Sequence, residues 1–140
     1  MNLEKPRNDD YLEINGIRYT HADIQRVVEI FYAKVAGHRH LKIPFSTVHD
    51  WPYHIEKLTH FWWIRFGGRS YMDVQYNPVQ KHFETGFSEE FLDMWLSLFK
   101  EVLTTTLTKE QAKLWYMVAE STGTALTRHN EFMQKQYGKS

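Results

Sequence analysis

Residues 51–68 read WPYHIEKLTHFWWIRFGG and contain the sequence signals for a complete helix together with both of its ends. Asp50 can cap the helix, Pro52 suits its first turn, and the pair Gly67-Gly68 stops it. One face carries large side chains at helical spacing: Trp51, His54, Ile55, Leu58, Phe61 and Trp62. Trp63 is expected to point outward. The stretch predicts a helix that places an imidazole among aromatic rings.

Three further segments have helical periodicity. The first begins after the candidate N-cap Thr20 and ends near Gly37, the second begins at Ser88, and the third follows the capping-box pattern Thr108–Gln111. Their buried faces are expected to carry Ile24, Val27, Val28, Phe31, Tyr32 and Val35, then Phe91, Leu92, Trp95, Phe99, Val102 and Leu103, then Ala112, Trp115, Tyr116, Ala119 and Leu126. The sequence predicts an all-α protein.

The segments outside these helices are short. Residues 1–10 are expected to fray, and residues 11–19 alternate in polarity around Asn15-Gly16, which is a hairpin signal. Residues 67–87 are the least regular part, with a short helical turn predicted over Val79–Phe83.

Length and composition exclude several classes of protein. A chain of 140 residues fits one domain, and the absence of Cys excludes disulfides and thiolate metal sites. Equal numbers of basic and acidic residues, 17 of each, give no net field to attract nucleic acid or an anionic membrane. Because no apolar run resembles a signal peptide or a membrane span, the default expectation is a soluble cytoplasmic protein.

The informative anomaly is a set of polar tips on core-facing aromatic and imidazole side chains. Tyr32, His54 and Trp95 lie on or beside the apolar stripes of three predicted helices, and His82 follows in a short polar segment between two of them. Buried hydroxyl, imidazole and indole groups need hydrogen-bond partners, and a bound ligand is one candidate partner. Taken singly, each of these residues is equally well explained as ordinary core.

Two interpretations of His82 differ in the metal. A histidine between two long helices commonly presents one axial ligand to haem iron, whereas zinc needs three or four ligands. His54 and His82 could supply two ligands, but no third residue at helical spacing completes a zinc site. Phe45, in the turn after the first helix, could lie against a planar ligand or simply plug the core.

The order and spacing of these residues resemble the truncated haemoglobins, and in particular their group III. The motifs that carry the resemblance are Phe31-Tyr32 with Val35, Leu41, Pro44-Phe45, Trp51-x-x-His54, Phe61-Trp62, Lys81-His82 and Trp95-Leu96-x-x-Phe99. The match covers roughly residues 20–127. The family's Tyr-x-Gly-x-Pro phrase is altered here, because Tyr71 and Tyr76 are both candidates for its tyrosine and no Gly precedes Pro78.

The resemblance implies a two-over-two helical sandwich around haem b (iron protoporphyrin IX). It matches His82 to the proximal ligand of the haem iron. It matches Tyr32, His54 and Trp95 to the distal residues that face the gas ligand. The apolar pocket wall is matched by Phe45, Leu58, Phe61 and Trp62. The implied domains are an extension over residues 1–19, either hairpin or frayed, a globin domain over residues 20–127, and a helix end with a polar tail over residues 128–140.

The function implied by the resemblance is reversible binding of O₂, NO or CO at haem iron. Donors such as the Tyr32 hydroxyl and the Trp95 indole would slow O₂ release, which suits oxygen, NO or peroxide redox chemistry better than transport. Dioxygenase- or peroxidase-like activity would need a separate reductase or electron donor, because no nucleotide motif is visible. Two alternatives stay open: a gas or redox sensor that uses the extension and an outward Trp63, and a haem-free interaction protein. The sequence gives no oligomeric state.

Overall fold

Two antiparallel strands precede four helices in the part of the chain that the computed structural model describes, namely residues 4–42, 48–73 and 89–137, with residues 126–137 as helix backbone alone. The strands are β1 (Tyr11–Ile14) and β2 (Ile17–Thr20), and the helices are α1 (His21–Gly37), α2 (Trp51–Arg65), α3 (Glu89–Thr106) and α4 (Lys109–Tyr137). Helix α1 packs on α2, α3 packs on α4, and α1 crosses α3. The predicted all-α, two-over-two arrangement with a short N-terminal extension is confirmed.

The helix starts follow the capping chemistry that the sequence predicts. Thr20 Oγ1 accepts from the Asp23 N–H, and the Asp23 carboxylate accepts from the Thr20 N–H, both at 3.0 Å. Asp50 accepts from the N–H of Tyr53 at 3.0 Å to open α2. Thr108 and Gln111 make the same reciprocal pair at the start of α4. No helix within the described ranges is long and apolar enough to cross a membrane.

The N-terminal extension forms the predicted hairpin and is fastened to the helices. Asn15 and Gly16 adopt φ values of 51° and 78°, as a two-residue turn of the primed type requires. Tyr19 of β2 is fully buried, stacks on Phe66 at 5.0 Å, and donates its hydroxyl hydrogen to the Gln111 carbonyl at 2.6 Å. The hairpin is therefore part of the core.

The expectation of a frayed start is wrong for residues 7–10. The Asp10 carbonyl accepts from the His21 N–H at 2.8 Å, and the Asn8 carbonyl accepts from the Ala22 N–H at 3.1 Å. These bonds satisfy amide groups in the first turn of α1, which have no acceptor within the helix itself. The two hydrogen bonds fasten the segment before the hairpin to the start of α1.

An aromatic core lies where the hairpin and the helices meet. Trp115 of α4 is fully buried at its centre, and the rings packed against it are those of Tyr19, Trp62, Phe66 and Phe99. Among the described residues, the buried indole nitrogen of Trp115 has no hydrogen-bond acceptor. Because aromatic rings contact the Trp115 ring edge-on from several sides, aromatic packing rather than hydrogen bonding fixes this side chain.

Candidate functional site

Tyr32 of α1 and His54 of α2 face each other across the packed pair of helices. Tyr32 is buried, His54 is half-buried, and their rings lie edge to face with centroids 5.8 Å apart. Trp51 lies one turn before His54, 5.4 Å from its ring and 6.4 Å from that of Tyr32. The structure therefore brings two of the predicted site residues, Tyr32 and His54, into contact, and Trp51 packs beside both.

Trp95 of α3 reaches the same region through Phe31. The Trp95 ring lies 4.8 Å from Phe31, and Phe31 lies 4.8 Å from Tyr32. Trp95 also stacks on Phe99 at 4.7 Å. We refer to Tyr32, His54 and Trp95 as the three-helix cluster, because α1, α2 and α3 each contribute one polar-tipped ring.

Three of the four residues predicted to form an apolar wall lie on helix α2. Leu58 and Trp62 are buried, and Phe61 is half-buried beside Trp62 at 5.2 Å. Trp62 also stacks on Phe99 at 5.8 Å, which connects this wall to the aromatic core. His82, Phe45, Tyr76 and the predicted turn over Val79–Phe83 lie outside the described residues.

The prediction that Trp63 points outward is wrong. Trp63 is buried, lies 5.2 Å from the ring of His21, and covers Gly68 so closely that a Cβ there would overlap the indole. The sequence pattern predicts one apolar face for α2, and Trp63 lies outside that face. The start of α1 and residues 68–71 cover a second side of the helix, and Trp63 lies on that side.

A second polar cluster, which sequence reasoning missed, lies against this side of α2. His21, Tyr71 and His60 are all buried. The Tyr71 hydroxyl lies 2.8 Å from His21 Nε2, and the Tyr71 backbone N–H donates to His60 Nε2 at 3.2 Å. We refer to these three residues as the His–Tyr–His cluster.

The sequence held little signal for this cluster. His21 follows an N-cap, His60 lies off the predicted apolar face of α2, and Tyr71 belongs to a segment without periodicity. Tyr71 was a candidate for the tyrosine of the family's altered phrase. The structure places it between α1 and α2.

Burial sets the electrostatics of the His–Tyr–His cluster. It lowers the pKa of His21, assisted by Lys5 and opposed by Asp10, and it lowers the pKa of His60. Burial, with a contribution from the charge of Glu56, raises the pKa of Tyr71 to about 12. All three groups are therefore neutral near pH 7.

A groove of about 420 Å³ lies beside both clusters, because Tyr71 of one cluster and Trp51, which packs on His54, are among its lining residues. Its lining also includes Ile55, Glu29 and Glu56. Within the described ranges, no group of three or more His, Asp or Glu side chains is placed to hold a metal ion.

The fold is that of the truncated haemoglobins. The chain is similar to a group 3 truncated haemoglobin of Campylobacter jejuni, with 28% identity over 121 residues, 82% of this chain and 91% of that protein. The crystal structure of the group III truncated haemoglobin from Campylobacter jejuni superposes with a TM-score of 0.70 and 25% identity, covering 84% of this chain and 94% of the other. No family model matches the chain. The resemblance inferred from the sequence motifs is confirmed.

Proposed function

We propose that this chain is a haem-binding globin that binds a diatomic gas, O₂, NO or CO, at the haem iron. The observation that carries the proposal is the three-helix cluster, in which Tyr32 and His54 lie 5.8 Å apart in a fold shared with truncated haemoglobins. A phenol, an imidazole and an indole beside the apolar side chains of Leu58 and Phe61 suit a haem with a polar gas ligand.

The residues fit haem b, iron protoporphyrin IX, by the chemistry of their donors. His82 is proposed as the proximal iron ligand, and Phe45, Leu58, Phe61 and Trp62 as the apolar pocket wall. When bound, the haem would supply an iron that binds the gas. His82 would hold the iron, the four wall residues would exclude water, and the three-helix cluster would supply hydrogen-bond donors.

The donors determine how fast a gas ligand leaves. The Tyr32 hydroxyl and the Trp95 indole N–H are proposed to donate to bound O₂, and each well-aligned bond to a partly charged acceptor is worth roughly 1.5–3 kcal/mol. His54 is proposed as a third partner or a gate. Slow O₂ release suits oxygen, NO or peroxide redox chemistry, with electrons from a separate reductase or other donor.

The visible spectrum of the purified chain with haem added, first oxidised and then reduced, tests the proposal. We expect a Soret band and a five-coordinate ferrous spectrum that changes on addition of CO. His82→Ala should lose the five-coordinate ferrous spectrum, whereas His40→Ala, at an exposed histidine, should retain it. A wild-type chain that gives no Soret band contradicts haem binding, and a His82→Ala variant with an unchanged spectrum reassigns the axial ligand.

A further inference from the structure

Tyr71 connects the two helices that carry Tyr32 and His54. Its hydroxyl bonds to His21, the first residue of α1, and its backbone N–H bonds to His60, six residues after His54 on α2. Its buried ring packs edge-on against both imidazoles, with centroids 5.5 Å from His21 and 4.7 Å from His60. The His–Tyr–His cluster is therefore a bridge between α1 and α2.

The two ends of the bridge respond differently to a proton. A tyrosine hydroxyl can donate or accept, so the bond to His21 Nε2 survives either protonation state of the imidazole. A backbone N–H can only donate, so His60 Nε2 must be unprotonated to accept from Tyr71. The contact between His60 and Tyr71 exists only for neutral His60.

A second partner is already in place for protonated His60. Ser70 Oγ lies 3.2 Å from the same Nε2, and this hydroxyl also lies 3.3 Å from the Met72 carbonyl. An Nε2–H would donate to Ser70, Ser70 would donate to Met72, and the Tyr71 N–H would lose its acceptor. Protonation thus exchanges one hydrogen-bond pattern for another.

The charged groups around the cluster come from several elements. Lys5 and Asp10 of the N-terminal segment act on His21 with opposite signs, and Glu56 of α2 acts on Tyr71. His21 Nδ1 is buried and has no hydrogen-bond partner among the described residues. His60 has no carboxylate partner among its hydrogen bonds in the described part of the chain, so nothing there offsets the cost of charging it.

We infer that His60 is a positioning residue for the three-helix cluster: in its neutral form it holds α2 to α1 through Tyr71, and protonation releases that hold and changes the spacing of Tyr32 and His54. The consequence for gas binding rests on the proposed function. The bridge itself rests on the hydrogen bonds alone.

Fluorine NMR of the full chain labelled with 5-fluorotryptophan tests the inference with or without haem. Trp63 packs on His21 and reports the bridge, and Trp51 packs on His54 and reports the three-helix cluster. The two signals are assigned with Trp63→Phe and Trp51→Phe variants. Spectra are compared from about pH 7.5 to about pH 5, a range that spans the ordinary pKa of histidine, about 6.5.

Both signals are expected to shift together in the wild-type chain as the pH falls. His60→Gln should abolish the shift, because the glutamine amide oxygen can accept from the Tyr71 N–H and does not titrate. His40→Gln is the matched control at an exposed histidine and should titrate like the wild type. Tyr71→Phe keeps the backbone bond but lacks the link to His21, so Trp51 should no longer follow Trp63.

Three outcomes overturn the inference: a wild-type Trp51 signal that does not move with pH, a His60→Gln variant that titrates like the wild type, or a Tyr71→Phe variant with both shifts intact. If His60→Gln fails to fold, direct titration of the His60 imidazole by NMR decides, and a pKa at or above the ordinary value contradicts the inference. A missing Soret band would contradict the proposed function. It would not affect the inference about His60, which the fluorine spectra test independently. In the haem-loaded chain, a ferrous CO spectrum that stays constant while Trp51 shifts would remove the link to gas binding.

Discussion

Two polar aromatic clusters involve helices α1 and α2, and they differ in their contacts and in the elements that complete them. In the His–Tyr–His cluster, the imidazole nitrogens and the Tyr71 groups bond to one another at 2.8 and 3.2 Å, and Tyr71 follows α2. The three-helix cluster extends to α3: the Tyr32 and His54 rings pack on each other, Trp51 packs beside both, and Phe31 lies between Tyr32 and Trp95. We expect changes in the first cluster to lower stability and changes in the second to alter ligand binding.

Trp63→Ala is expected to have the largest effect, because it removes a buried indole that packs on His21 and covers Gly68. Truncating a buried tryptophan costs about 3–5 kcal/mol of unfolding free energy. Trp95→Ala in the three-helix cluster should cost less, since Trp95 is only half-buried. Urea unfolding of both variants measures the difference, and equal losses would contradict the expectation that the packing around His21 contributes more to stability than the packing of Trp95 in the three-helix cluster.

Tyr71→Phe should flatten the alkaline limb of the stability profile. Because the folded-state pKa of Tyr71 is raised to about 12, the unfolded chain loses this proton first, and stability falls as pH rises from about 10 to about 12. The loss is at most about 3 kcal/mol. Guanidinium unfolding at several alkaline pH values follows it.

Tyr53→Phe, at an exposed tyrosine, serves as the control for that experiment. Tyr19→Phe should flatten it as well, because burial also raises the pKa of Tyr19. An alkaline limb that is as steep in Tyr71→Phe as in the wild type would place the titrating group outside the His–Tyr–His cluster.

The two clusters also differ in how far the sequence predicts them. Tyr32, His54 and Trp95 lie on or beside periodic apolar stripes, so spacing alone brings them to the inner faces of three helices. The helix ends were predictable too, since Thr20, Asp50 and Thr108 are local signals that depend on near neighbours in the chain.

The His–Tyr–His cluster depends on long-range contacts that no period encodes. His21 and Tyr71 are 50 residues apart, and only the folded chain shows that α2 is covered on two sides. The prediction that Trp63 points outward fails for the same reason, because the sequence pattern does not show that a second side of α2 is covered. Tertiary burial can override an amphipathic pattern where a third element, here residues 68–71, packs against the helix.

Tyr32→Phe is expected to change ligand release more than stability. Under the proposed function, loss of one donor removes roughly 1.5–3 kcal/mol from bound O₂, which speeds dissociation by about 10- to 150-fold. Stopped-flow displacement of O₂ measures the rate, with Tyr53→Phe as the matched control. An unchanged rate rejects Tyr32 as a donor. A stability loss equal to that of Trp63→Ala would show that Tyr32 contributes mainly to the stability of the fold.

The smallest expected effects concern the caps at the starts of the two helices. Thr20→Ala removes one half of the reciprocal pair with Asp23, directly before His21, and should cost about 1 kcal/mol of unfolding free energy. Asp50→Ala removes the cap directly before Trp51, and a loss of similar size is expected. The sizes of the two signals' shifts should nevertheless differ: fraying at the start of α1 should shift the fluorine signal of Trp63 more than that of Trp51, whereas fraying at the start of α2 should shift that of Trp51 more. If each cap variant shifts both signals equally, the two clusters respond as one rigid unit and the distinction between them is wrong.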